Sequence, residues 1–338
     1  PVACFICALG AVLMGLAGNI YLFVFARMLC GLGSAFGFIG TMRVLRNYFS
    51  LKYMTLFIGF TEMMGFIVTA LCEHAVSFSL PIYGYKSVLF YFGLIGIVIA
   101  ILNYIFSLPR FAPKYEFAPP KKHDIKIIAQ DFKELVTNKQ LLYLGVISFC
   151  FFALVTAYAA LWAVPSLVNI NQLSFEDSTQ AISYIFLGIA TGGPLAGYLT
   201  TKISKLKSLI FWSGLIDALL MIILINCNLS VLAINILLYI TGAFSCCYLL
   251  CFTIANNLIP ARLSGTCMGL INMITMASAL ILQPIMGYLV ALDGAIGEVN
   301  GAPVYSASGY GRATWVIIIL FIFASYLSTR LESHQNKN

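Results

Sequence analysis

The chain has 338 residues, of which 61% are hydrophobic and 9% charged, and its formal net charge is +7. Its mean hydropathy is +0.96. A water-soluble domain cannot hide that much apolar surface, and positive charge lying beside apolar runs reflects membrane orientation, not binding to nucleic acid.

Ten apolar runs approach the ~20 residues that cross a hydrocarbon core of about 30 Å at 1.5 Å per helical residue. They lie near 2–16, 20–45, 53–76, 87–107, 141–167, 180–201, 208–227, 231–256, 265–292 and 313–330. This predicts an all-α polytopic membrane protein. Pro1 falls inside an apolar run, so the natural start is expected upstream. Gly15, Gly18 and Asn19 predict a tight turn after the first run.

Sixteen of the 19 Lys and Arg fall in alternate loops, on one side of this ladder of spans, among them Arg43, Arg46, Lys121, Lys122, Lys202, Lys205, Arg262 and Arg330. Lys86 and Arg312 lie on the other side, and Arg27 lies within a span. The positive-inside rule then places the first group, and the C-terminus, in the cytoplasm. Residues 108–140 open as an extended linker with Pro109, Pro113, Pro119 and Pro120. Apolar residues at 125, 128, 132, 135 and 136 follow on one helical face, which predicts an amphipathic helix on the cytoplasmic membrane surface. The expected organisation is a helical bundle over 1–107, a linker over 108–140, a second bundle over 141–330 and a tail over 331–338.

The ten cysteines lie in or beside apolar runs, and the only histidines are His74, His123 and His334. No metal-ligand or catalytic spacing stands out, and no phosphate-binding glycine loop is present. No cofactor is expected.

Several segments resemble the major facilitator superfamily. Phe25-Ala26-Arg27-Met28-Leu29-Cys30-Gly31-Leu32-Gly33 resembles its fourth-helix motif, and Asn47-Tyr48-Phe49-Ser50 its following loop. Gly197-Tyr198-Leu199-Thr200-Thr201-Lys202-Ile203-Ser204-Lys205 is similar to the loop after its eighth helix. Ser264-Gly265-Thr266-Cys267-Met268-Gly269 with Gln283-Pro284-Ile285-Met286-Gly287 resembles its eleventh. The resemblance implies the major facilitator fold, with the ten spans equivalent to helices 3–12 of a twelve-helix bundle. Thr201 stands where the family usually carries Asp, which puts part of its charged gate in doubt. The loop ending Tyr305-Ser306-Ala307-Ser308-Gly309-Tyr310-Gly311-Arg312 is similar to bacterial transporters near the phagosomal nutrient branch and, more distantly, to the lysosomal dipeptide branch.

An ionisable group at mid-bilayer costs about 2.5–3.5 kcal/mol on insertion scales, so Arg27, Glu62 and Asp217 each require a reason. Glu62, near the middle of its span, is the proton-coupling candidate. Arg27 is either its partner and a counter-charge for an anionic solute, or a helix-packing group. The resemblance places Asp217 on a peripheral helix, where an acid bonds a neighbouring helix. Candidate solute contacts are Arg27, Glu62, Tyr158, Trp162, Gln180, Tyr184, Asn235, Tyr239, Asn272 and Gln283, each of which also serves as an interhelical hydrogen bond in the plainer reading. Candidate gating positions are Gly197, Lys202, Lys205, Pro165 and Pro284. Glycines at 31, 33, 37 and 40, and at 188, 192, 193 and 197, permit close helix contact, either for sliding or for static packing.

These features predict a proton-coupled secondary transporter of a small polar organic solute such as an amino acid or short peptide, working by alternating access in a bacterial inner membrane. Its expected partners are that solute, a proton or other coupling ion, and the lipid bilayer. The alternatives are an exporter of the same fold, against which the absence of Gly-Pro in Gly65-Phe66-Ile67-Val68-Thr69 weighs, and a non-transporting receptor or membrane-embedded enzyme. Oligomeric state is not legible.

Overall fold

A computed structural model describes residues 1–48, 54–106, 125–202, 206–299 and 302–332. In chain order the helices are α1 (Val2–Leu16), α2 (Ile20–Tyr48), α3 (Met54–Phe106), α4 (Ile125–Val136), α5 (Lys139–Ala153), α6 (Ala163–Ile170), α7 (Phe175–Lys202), α8 (Leu206–Asn226), α9 (Val231–Ser245), α10 (Tyr248–Asn257), α11 (Ser264–Ala291) and α12 (Ala307–Thr329). A π-helical segment, Leu154–Trp162, joins α5 to α6. The strands β1 (Gly297–Val299) and β2 (Ala302–Val304) form one antiparallel hairpin, with Glu298 opposite Pro303.

Among the described residues, nine helical stretches are long and apolar enough to cross a membrane, and α1 is a shorter apolar helix of 15 residues. The expected ten spans are therefore met by nine full-length stretches and one short one. Several boundaries differ, the sixth span beginning at Phe175 rather than 180 and the tenth at Ala307 rather than 313. The fourth apolar stretch begins at Phe78 rather than 87, and Gly84 (φ 71°, ψ 160°) leaves helical geometry within α3, which is two helices joined across a kink. The fifth reaches from Lys139 to Ile170, because the π-helical backbone continues the helix instead of interrupting it. Large apolar side chains such as Leu280, Tyr288 and Ile319 face outward, as lipid solvation allows.

The described residues form two units. The first holds 1–48, 75–106 and 125–128, and the second holds 54–74 and 129–332. In the first, α1 packs on α2 and on the later part of α3 through small residues. A Cβ at Gly33 would lie 2.6 Å from the Cys7 amide nitrogen, and one at Gly93 would lie 2.5 Å from that of Val12. Gly31, Gly37 and Gly40 face open space, so only Gly33 of that series sits at a helix contact.

In the second unit, α7 and α9 approach backbone to backbone. A side chain at Gly188 would collide with the Tyr239 carbonyl, and one at Gly242 with the Ile185 carbonyl. Lipid provides no hydrophobic drive between helices, so such contact comes from close van der Waals packing of small residues.

The start of α5 is tied to the end of α12. The side chain of Asn138 accepts from the Gln140 and Leu141 amides, and Gln140 donates to the Arg330 carbonyl and accepts from the Glu332 amide. On α4, Leu135 is buried and Phe132 is exposed, while the side chains of Ile125 and Ile128 lie outside the described residues. Arg262, in the connection after α10, donates to Asp131 at 2.7 Å and to Glu134 at 2.8 Å. Within the second unit the Asp131–Glu134 side of α4 is thus tied to the connection after α10, and Phe132 is exposed. The linker prolines, Phe49, Ser50 and Lys205 lie outside the described residues.

Candidate functional site

The site is best built from the α5–π–α6 span. Pro165 has no amide hydrogen to give to its own preceding turn. Immediately upstream the helix widens, and the Ala163 amide donates to the Tyr158 carbonyl five residues back. Such π segments inside α-helices recur at functional sites because they redirect carbonyls and side chains. Here the Thr156 carbonyl accepts from Gln283 Nε2 at 2.7 Å, and Trp162 Nε1 donates to the Gln283 carbonyl at 3.3 Å. The indole also lies against Gly287, where a Cβ would stand 3.0 Å from it. Two hydroxyl pairs extend the seam between this span and α11: Ser148–Thr275 at 2.7 Å and Thr156–Ser278 at 2.6 Å.

Trp162 and Gln283 are therefore brought together and joined through main-chain groups. Tyr158 is fully buried in the same segment. Asn235 and Tyr239 stand one turn apart on α9. The Asn235 Oδ1 is buried without a partner among the described residues, and the Tyr239 hydroxyl pairs with Thr191 at 2.8 Å. Gln180 is exposed near the start of α7, and Tyr184 and Asn272 are half-buried on α7 and α11. Pro284 lies inside α11, Gly197 lies inside α7, and Lys202 ends α7. Arg27 is exposed on α2 in the first unit.

Glu62 sits in the second unit, on the early part of α3, and the Tyr248 hydroxyl donates to its Oε2 at 2.9 Å. Two neighbouring contacts fix that stretch. Gly59 meets the Gly193 carbonyl, where a Cβ would come within 2.7 Å, and Phe66 stacks on Phe186 with ring centroids 6.1 Å apart. Tyr248 is itself held by Phe152, at a ring-centroid distance of 4.8 Å. Within this unit no Lys or Arg among the described residues forms an ion pair with Glu62.

Tyr248 was not singled out from the sequence. The usable signal was a phenol near the centre of a long apolar span, since a buried Tyr hydroxyl needs a partner. Asp217, as expected, bonds a neighbouring helix: the Ser245 hydroxyl donates to its Oδ2 at 2.9 Å.

At the end of the second unit away from α4, Arg312 donates to Asp293 at 2.6 Å, and Ser306 and Ser308 also reach that carboxylate. The guanidinium holds the Asp293 carboxyl below the ordinary carboxylate range. A shallow cavity of about 370 Å³ lies beside it, lined by residues that include Ile170, Asn226, Arg312 and Trp315.

The described residues thus include membrane-spanning helices, one of which sets the half-buried Glu62 carboxyl against the Tyr248 phenol. The model of the Major Facilitator Superfamily matches residues 1–284, and the chain belongs to that family. It is an integral, multi-pass secondary transporter and not an enzyme. Among solved structures it is similar to FucP in the outward conformation, with 14% identity, TM-score 0.70, and coverage of 98% of this chain and 82% of that one. A second structure of FucP, the E. coli Fucose:proton symporter, aligns with 14% identity, TM-score 0.65, and coverage of 96% and 82%. A bacterial homolog of the human lysosomal transporter Spinster, inward-facing and unoccupied, aligns with 14% identity, TM-score 0.65, and coverage of 98% and 81%. At that identity these likenesses speak for the fold. A search of curated proteins finds no match.

Proposed function

We propose that the protein moves a small polar organic solute, with amino acids or short peptides foremost, by alternating access, and that Glu62 couples this movement to protons. The observation that supports this reading is the Glu62–Tyr248 bond, made inside a membrane span. A charge there costs about 2.5–3.5 kcal/mol on insertion scales, so a carboxyl kept without a basic partner in its own unit is suited to carrying a proton. The phenol can donate to the carboxyl in both protonation states, so it keeps the side chain in place while the proton comes and goes. That one structural neighbour is titled a fucose:proton symporter accords with symport and makes sugars part of any solute panel.

In this reading the solute route is lined by polar groups of α7, α9 and α11, with Tyr184, Asn235, Tyr239 and Asn272 offering amide and hydroxyl contacts. Trp162 and Gln283 shape the route through the π segment. Pro165 and Pro284 allow the bends that open and close it. The charge bias supports a linker and tail on the cytoplasmic face, in what we take to be a bacterial inner membrane.

The test is uptake by the full-length protein in proteoliposomes, with amino acids, dipeptides, sugars and nucleosides offered with and without a pH gradient. One solute class should accumulate against its gradient only when an inward proton gradient is imposed. Accumulation that ignores the proton gradient would remove the coupling assignment.

A further inference from the structure

The span formed by α9 and α10 is broken at Cys246–Cys247, and no proline causes the break. Over residues 244–250 the hydrogen bonds shorten to three-residue steps: the Cys247 amide donates to Phe244 at 3.1 Å, Leu249 to Cys246 at 3.0 Å and Leu250 to Cys247 at 3.0 Å. A 3₁₀ stretch inside a helix marks a hinge or a strained joint. Side chains hold this one. The Cys246 thiol donates to the Ala243 carbonyl at 2.8 Å, and Ser213 pairs with the Cys247 sulfur at 3.0 Å. Ser245 donates to Asp217. Ser213 and Asp217 stand one turn apart on α8, so one face of α8 grips the joint.

Asp217 is 0% exposed, and its Oδ1 has no partner among the described residues. An ionised carboxylate in that position would leave a charged oxygen undonated in a low-dielectric interior, at a cost of several kcal/mol. Among the described residues no Lys or Arg forms an ion pair with it. The titratable groups facing Asp217 are Cys246 and Cys247 at the joint. Against the same stretch of α8, α12 sets Ser325 and Phe321 and α5 sets Phe151, none of them basic.

We propose that Asp217 is a second proton-binding group of this transporter, carrying its proton at Oδ1 while the α9–α10 joint has the bend seen here. Losing that proton creates a carboxylate that needs a further donor, which the described side chains packed here do not offer, so release goes with opening of the joint. Tyr248 is the first residue of α10 beyond the joint, and its hydroxyl holds Glu62. Movement of the joint therefore shifts the donor that Glu62 depends on. That last link rests on the functional reading above, whereas the proton on Asp217 does not.

Infrared difference spectra of the full-length protein in liposomes, acid against alkaline, test the site directly. The expected result is a protonated-carboxyl stretching band that titrates away at alkaline pH. It should vanish in Asp217→Asn, persist in Glu62→Gln and move to higher frequency in Ser245→Ala, which removes the donated hydrogen bond. A band unaffected by Asp217→Asn, or one that never titrates, overturns the proposal. Should Asp217→Asn fail to fold, Ser245→Ala decides: an unshifted band counts against the site. For the link to Glu62, the pH profile of uptake should flatten in Asp217→Asn, and a wild-type profile in that variant overturns the link.

Discussion

Two helix interfaces of the second unit are built on opposite principles. Between α7 and α9, Gly188 and Gly242 bring bare backbone against backbone, and the hydroxyl pair Thr191–Tyr239 is the polar contact described between them. Between the α5–π span and α11, Ser148, Thr156, Trp162 and Gln283 make a succession of hydrogen bonds. The first surface is smooth and depends on shape, whereas the second is pinned and depends on polar partners. On the proposed alternating-access reading the two serve different ends: the smooth contact would let helices shift against each other, and the pinned one would keep their register. In bilayers such interhelical hydrogen bonds average only about 0.6 kcal/mol, so shape should dominate stability while the polar pins govern geometry.

The largest effect is therefore expected at the smooth seam. Gly188→Leu or Gly242→Leu forces a side chain into a neighbouring carbonyl, and overpacking of this kind typically costs about 1–3 kcal/mol, occasionally more. Thermal unfolding of purified protein in detergent should show a clear drop in Tm, with little folded material at the warmer end. A Gly188→Leu variant as stable as the wild type would break the comparison.

At the pinned seam, Gln283→Leu leaves the Thr156 carbonyl of the π segment without its donor. The expected loss is about 1 kcal/mol, smaller than at the glycines, together with a change in KM if, as proposed, this segment shapes the solute route. Tyr248→Phe should alter stability by about 1 kcal/mol or less while lowering gradient-driven uptake several-fold. Uptake unchanged in Tyr248→Phe would mean that the phenol plays no part in coupling.

The smallest effect belongs to the exposed pair Arg312–Asp293. With the Asp293 carboxyl held below its ordinary range, the pair stabilises the folded protein above the usual carboxylate range. That contribution is lost as pH falls through the depressed value. Tm measured at neutral and acid pH should show a pH-dependent component that Asp293→Asn removes. Its amplitude should shrink in high salt, because the pair is solvent-exposed.

The spans were legible because lipid imposes a strict rule: a crossing segment must be apolar and must satisfy its own backbone. Glu62 stood out by the same rule, as a carboxyl in a medium that penalises it. Tyr248 did not, because it is one of 18 tyrosines and its partner lies 186 positions away in sequence. Hydropathy also carries no information on whether a helix closes its bonds over three, four or five residues. The π segment at Leu154–Trp162 and the tight joint after Phe244 were therefore invisible, although Pro165 marked the neighbourhood of the first. The sequence pattern places the fourth span from 87, just past the break at Gly84, whereas the apolar helical stretch already runs from Phe78. Tyr83-Gly84-Tyr85-Lys86 has the composition of a turn, yet only Gly84 leaves helical geometry.

The coupling role of Glu62 is tested most directly by comparing two transport modes in proteoliposomes containing the Glu62→Gln variant. One mode is accumulation driven by a proton gradient, and the other is exchange of labelled for unlabelled solute without one. Loss of driven accumulation with exchange retained is the predicted result. Full driven accumulation in the variant would contradict the account.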